Sequence, residues 1–171
     1  AANATFENTY NGGNLTISKT VTGTAGDRDR AFTFIVKLTP ENGNKLLEEY
    51  NFIGSSIDGV ESLDEGTIKL NENGELVFKL KHGQSITILG ILAGTGYTVI
   101  ESDNDKYKVT KEGHTGTIKG NENIQVTYIN HLDKEIKTGD TNNMDVWIMM
   151  SSVSLLGWLY ITYKTRKTKN D

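Results

Sequence analysis

Lys19, Glu101 and Asn130 each stand where strand alternation calls for an apolar side chain. Alternate residues of a strand share a face. Leu15, Ile17 and Val21 define one such face, and Lys19 falls on it. Tyr97 and Val99 define a second, which Glu101 continues; Ile124, Val126, Tyr128 and Leu132 define a third, with Asn130 among them. Singly, each has an ordinary explanation: a Lys that snorkels to water, a solvated Glu at a strand end, an Asn that ties down a loop. Together they are complementary. Burial disfavours an ammonium and frees a neutral amine nucleophile. A carboxylic acid beside an amide can donate to the carbonyl oxygen and polarise it. Attack of Lys19 Nζ on Asn130 Cγ would then expel ammonia and leave an amide crosslink, removing a buried charge and a buried amine in one step.

The elements that must position these residues read as strands. Leu15–Val21 and Gln84–Leu89 alternate apolar and polar residues, while Ala31–Leu38, Glu75–Leu80, Gly96–Glu101, Tyr107–Thr110 and Ile124–Asn130 are β-branched or aromatic runs. Turn sequences such as Glu72-Asn73-Gly74, His82-Gly83 and Gly120-Asn121 separate them. The pattern predicts an all-β, antiparallel, immunoglobulin-like sandwich over residues 14–132. Pro40–Glu65 reads as a long excursion between strands, with one helical turn over Lys45–Tyr50. Thr5-Phe6-Glu7-Asn8-Thr9-Tyr10 echoes Thr127-Tyr128-Ile129-Asn130-His131-Leu132. Residues 1–10 are therefore expected to be the closing strand of a preceding, similar domain.

These motifs resemble the isopeptide-bonded domains of Gram-positive major pilins and surface adhesins. The streptococcal T-antigen pilin type is nearest, with the collagen-adhesin B-type domain as a relative. The resemblance rests on L-x-I-x-K-x-V-x-G (Leu15–Gly23), K-H-G-Q-S-I-T-I (Lys81–Ile88), A-G-T-x-Y-T-V-x-E (Ala93–Glu101) and the closing T-Y-I-N (Thr127–Asn130). It includes the pilin E-box pattern of Tyr-x-aliphatic-x-Glu followed by a Tyr, here Tyr107, without the usual Gly before it. The resemblance implies Lys19 as nucleophile, Asn130 as electrophile and Glu101 as the acid that manages protons. It also implies Asn8 as the partner of a Lys in the upstream domain.

Downstream, Val146–Tyr163 is an uncharged run of 18 residues followed by Lys164, Arg166, Lys167 and Lys169. At about 1.5 Å per residue a helix of this length covers roughly 27 Å, enough for one transmembrane helix over 146–163. The basic tail, 164–171, is expected to stay cytoplasmic, which places the sandwich outside the cell. Residues 133–145 read as a linker. Within it Glu135-Ile136-Lys137-Thr138-Gly139 is similar to a sortase sorting signal that lacks the family's Leu and Pro, with cleavage expected between Thr138 and Gly139. The implied partners are a sortase, and peptidoglycan or other pilin subunits. Plain membrane anchoring is the alternative. The chain opens Ala-Ala-Asn without an export signal, so it is expected to be the C-terminal part of a longer protein.

Composition limits the other classes. The net charge is −4, and the last eight residues contribute +3, leaving −7 on the part before them. An acidic ectodomain offers nothing to nucleic acid. Cysteine is absent, so robustness in an exported domain must come from elsewhere, such as another kind of crosslink. His82, His114 and His131 form no pair at metal-ligand spacing, and no cofactor is expected. Asp27-Arg28-Asp29 and Asp103-Asn104-Asp105 lack the Gly and distal Glu of a calcium loop and read as solvated turns. No hydrolytic triad assembles. The expectation is a structural stalk or pilin-like module rather than an enzyme. The rival is an adhesin sandwich that binds host protein or glycan through its loops.

Overall fold

The structure is a computed structural model that describes residues 11–135 apart from Asn42 and Asp58. Expectations for Asn8, Thr138, Gly139, the 146–163 helix and the basic tail lie outside the described residues. Ten strands form two facing sheets. They are β1 (Gly12–Thr22), β2 (Phe32–Thr39), β3 (Glu49–Ser56), β4 (Gly66–Lys69), β5 (Glu75–Leu80), β6 (Gln84–Leu92), β7 (Gly96–Ser102), β8 (Lys108–Glu112), β9 (Thr115–Thr117) and β10 (Asn123–His131). One sheet runs β4-β3-β6-β1-β10-β8 and the other β5-β2-β7-β9.

β1 alternates half-buried and buried residues along its whole length, as its apolar periodicity demands. Leu15, Ile17, Phe32, Phe34, Val36, Leu76, Ile86, Ile88, Val99 and Val126 pack between the sheets with essentially no exposure. Each expected strand is present: Glu75–Leu80 has the expected bounds, and the others shift by up to three residues at an end.

Two expectations are corrected. The sandwich is not wholly antiparallel: β1 and β10 run side by side in parallel, with Lys19 opposite Tyr128 and Val21 opposite Asn130. A parallel pair needs a long crossover, and here almost the whole domain supplies it. Lys45–Tyr50 also makes no helical turn. Residues 44–47 have no regular secondary structure, and β3 follows from Glu49, pairing with β6 and β4. Tyr50 is buried and Phe52 half-buried on the inward face, with Leu46 packed against the core. The two aromatic positions fit a pleated surface better than a helix.

Gly23, which ends the first motif, has a positive φ of 92°, and a Cβ there would come within 2.2 Å of Leu132 O. The backbones after β1 and β10 therefore close tightly: Ala25 N donates to Leu132 O at 2.9 Å and Leu132 N to Thr22 O at 3.1 Å. Asp133 and Lys134 also fold back, each bonded to Thr24.

Candidate isopeptide site

β1 and β10 are neighbours in the six-stranded sheet, and β7 faces them from the other sheet. Lys19 comes from β1, and Asn130 lies two residues past its register partner on β10, on the same inward face. Glu101 comes from β7, opposite Phe34 of β2. The three side chains predicted from strand alternation thus meet between the sheets. Lys19 is 1% exposed, Glu101 7% and Asn130 0%.

Glu101 Oε1 is the meeting point. Lys19 Nζ lies 2.6 Å from it, with both side chains fully buried. Asn130 Nδ2 donates to the same oxygen at 3.2 Å. The Lys contact is close, but Nζ lacks hydrogen-bond alignment, so it is an ion-pair approach rather than a directed bond. Asn130 Oδ1 also lacks a partner. Among the described residues only three buried side-chain polar atoms are left in this way, and two belong to this trio. The unpartnered Asn130 Oδ1 costs about 1–3 kcal/mol and calls for a reason, whereas Lys19 Nζ is compensated by its approach to Glu101.

The amide faces Glu101 with its nitrogen, whereas the expected polarisation needs the oxygen there. A half-turn about Cβ–Cγ exchanges them, and the nitrogen-first orientation suits delivery of a proton to the leaving group. Burial lowers the Lys19 pKa from its ordinary value of about 10.5, against the raising influence of the Glu101 carboxylate. The Phe32 ring, whose centroid is 4.3 Å from Nζ, covers the other side of the amine.

The surroundings fix the spacing. Tyr128, one place inward of Asn130 on the same face, donates its hydroxyl to Val99 O at 2.7 Å, tying β10 to β7 beneath the trio. Burial, and then the nearby Glu101, push the Tyr128 phenol up to about 12, so it remains a donor. Beyond the end of β6 pairing, the Lys81–Gln84 turn continues alongside β1: Gly83 N donates to Lys19 O at 2.8 Å, and Val21 N to His82 Nδ1 at 3.0 Å. Burial chiefly, and Arg28 secondarily, lower the His82 pKa, which favours the neutral imidazole that this bond requires.

Tyr107 packs edge-on against Phe32, with ring centroids 5.4 Å apart. The preceding residue, Lys106, stands where the pattern has Gly and adopts φ +72°, the left-handed conformation that Gly takes without strain. Phe32, Tyr128 and Asn104 belong to this site without a signal in the sequence: Phe32 and Tyr128 read as ordinary core residues, and Asn104 lies in a loop that reads as solvated. The two Asp-rich turns form no metal cluster among the described residues; Asp27 instead caps its own turn by accepting from Asp29 N and Arg30 N.

Residues 13–132 match the family model described as "Domain of unknown function (DUF7601)". The chain belongs to the DUF7601 family. This DUF7601 chain is similar to a pilin of Streptococcus pyogenes serotype M1, at 27% identity over 175 residues, covering 93% of the chain and 51% of the pilin. It is 31% identical over 99 residues to the pilus tip adhesin Cpa of Streptococcus pyogenes, covering 58% of the chain and 13% of the adhesin. The crystal structure of the major pilin from Streptococcus pyogenes superposes with a TM-score of 0.57 at 25% identity, covering 72% of the chain and 49% of the pilin. A structure of the pilus-presented adhesin Cpa gives 0.58 at 28% identity, covering 75% of the chain and 28% of the adhesin. The DUF7601 chain is therefore a pilin-like β-sandwich related to streptococcal pilins. It spans about half the length of the pilin and a smaller part of Cpa.

Proposed function

We propose that this sandwich is a load-bearing stalk module on the surface of a Gram-positive cell, in which Lys19 and Asn130 join through an isopeptide bond with Glu101 as proton carrier. The observation that carries it is the convergence of a buried amine and a buried amide on one carboxylate oxygen, at 2.6 and 3.2 Å. The step balances without a co-reactant. A proton passes from Lys19 Nζ to Glu101 Oε1, leaving a neutral amine and a carboxylic acid. The amine attacks Asn130 Cγ, Glu101 protonates the carbonyl oxygen, and the Nζ–Cγ bond forms. Collapse of that intermediate breaks the Cγ–Nδ2 bond: the second Nζ proton passes through the same carboxyl to Nδ2, which leaves as ammonia, and the hydroxyl proton returns to Glu101. Glu101 ends as the carboxylic acid, holding the one proton that the neutral products do not carry. The product is one amide, formed in a single turnover.

Anchoring through the sorting-like segment at Thr138-Gly139, or through a 146–163 membrane helix, follows from the sequence pattern and the similarity to pilins. Similarity to Cpa, named as a tip adhesin, favours a second reading in which the loops bind a host molecule.

Tryptic mapping tests the bond. A branched peptide joining the Lys19 and Asn130 segments is expected from the unmodified chain and from neither Lys19→Ala nor Glu101→Ala. A branched peptide in Glu101→Ala would remove Glu101 from the chemistry. Thr138→Ala is expected to keep the protein in the membrane fraction; continued wall linkage would put the cleavage site elsewhere.

A further inference from the structure

We infer that Asn104 is a positioning residue for this reaction, setting which oxygen of Glu101 carries the proton. The inference rests on the isopeptide chemistry proposed above. Of the three residues Asp103-Asn104-Asp105, only Asn104 is half-buried; both neighbours are exposed. Its Nδ2 donates to Glu101 Oε2 at 3.3 Å and to the Glu101 carbonyl at 3.4 Å. Oε2 is thereby held as an acceptor. An O–H on that oxygen would oppose the Asn104 N–H, whereas the half-turn of the Asn130 amide replaces the N–H now facing Oε1 with an acceptor oxygen, so the proton taken from Lys19 resides on Oε1, the oxygen that touches both reactants. An Asp at this position would set carboxylate against carboxylate, and an apolar residue would leave Oε2 without a donor.

The loop is built to hold that side chain inward. Asp103 and Lys106 adopt left-handed φ values of 62° and 72°. Arg30 donates to the Asp103 carbonyl while its guanidinium lies over the Phe32 and Tyr107 rings. Tyr107 N donates to Asn104 O at 3.0 Å, and the Tyr107 hydroxyl accepts from Asp27 N at 3.1 Å. A loop whose side chains only met solvent would need none of this.

The test follows crosslinking in time. The full chain is made in a short cell-free pulse, and loss of ammonia is read by intact mass during the chase. Asn104→Ala and Asn104→Asp are expected to react slower by on the order of tenfold or more, the effect of losing one hydrogen bond to a charged group. In the unreactive Lys19→Ala background, Asn104→Ala is expected to lower the melting temperature by only about a few degrees, so that the chain stays folded where the rate is read. In an Asn130→Ala background, Asn104→Asp is expected to move the Glu101 ¹³Cδ resonance, which a purely structural role would leave in place. Wild-type rates in both variants, or a wild-type rate in Asn104→Asp alone, would overturn the role while leaving the isopeptide bond intact. A wild-type chain that keeps its full mass would instead refute the bond itself.

Discussion

Across the 2.6 Å between Lys19 Nζ and Glu101 Oε1, one proton decides whether the pair is an inert ion pair or a nucleophile beside an acid. Burial favours the neutral partner on the lysine side, because a desolvated ammonium is recovered only in part by a single carboxylate. A pH dependence follows, visible in a variant that cannot react. In Asn130→Ala, Lys19 has a lower pKa folded than unfolded, so the unfolded chain binds more protons between the two values. Stability should therefore rise with pH through that interval. It should be read below about pH 10, where tyrosines of the unfolded chain begin to ionise. Chemical denaturation of Asn130→Ala against Lys19→Ala/Asn130→Ala isolates the effect: the difference should shift in favour of the first variant as pH increases. A flat difference would mean that the amine is not desolvated. These three residues were legible in the sequence because each interrupts an apolar face with period two. Asn104 was not, since nothing in an Asp-Asn-Asp loop reveals that its central amide turns inward.

At the level of elements, the loop from β7 to β8 has Lys106 where the E-box pattern has Gly and bears the cost of a left-handed Lys. Lys106→Gly is expected to stabilise the domain by up to about 1 kcal/mol, the Gly entropy loss in the unfolded chain offsetting part of the relief. Equilibrium unfolding of the unreactive Lys19→Ala chain with and without the substitution checks it; a loss of stability would show that the Lys106 side chain holds the loop by other means. Strand existence was readable where apolar residues alternate or β-branched and aromatic residues cluster, down to the four residues Tyr107–Thr110. β4 and β9 escaped notice because Gly66–Lys69 holds a single large apolar residue and Thr115–Thr117 none. β3 was missed because Gly54, Ser55 and Ser56 dilute its aromatic start. The parallel β1–β10 pairing was hidden for another reason: strand patterns specify faces, and they do not specify neighbours.

For the whole molecule, β1 and β10 would be the elements through which tension enters and leaves the sandwich in the proposed stalk. As parallel neighbours they are loaded in shear when their outer ends are pulled. A bond from Lys19 to Asn130 passes the load directly between them and shields residues 20–129. In the chain-entropy model, closing a loop of that size adds roughly 4–5 kcal/mol. Lys19→Ala should accordingly lower the melting temperature by roughly 15–20 °C for a domain of this size. Scanning calorimetry that found equal melting temperatures would argue against a crosslink in the native chain. The most direct measurement is the intact mass of a fragment from Asn11 to Lys137 under denaturing conditions. The expected mass is lower than calculated by one ammonia, with Lys19 and Asn130 recovered in one branched tryptic peptide. The full calculated mass would contradict the bond and leave Lys19, Glu101 and Asn130 as a buried ion pair and an amide with no covalent role.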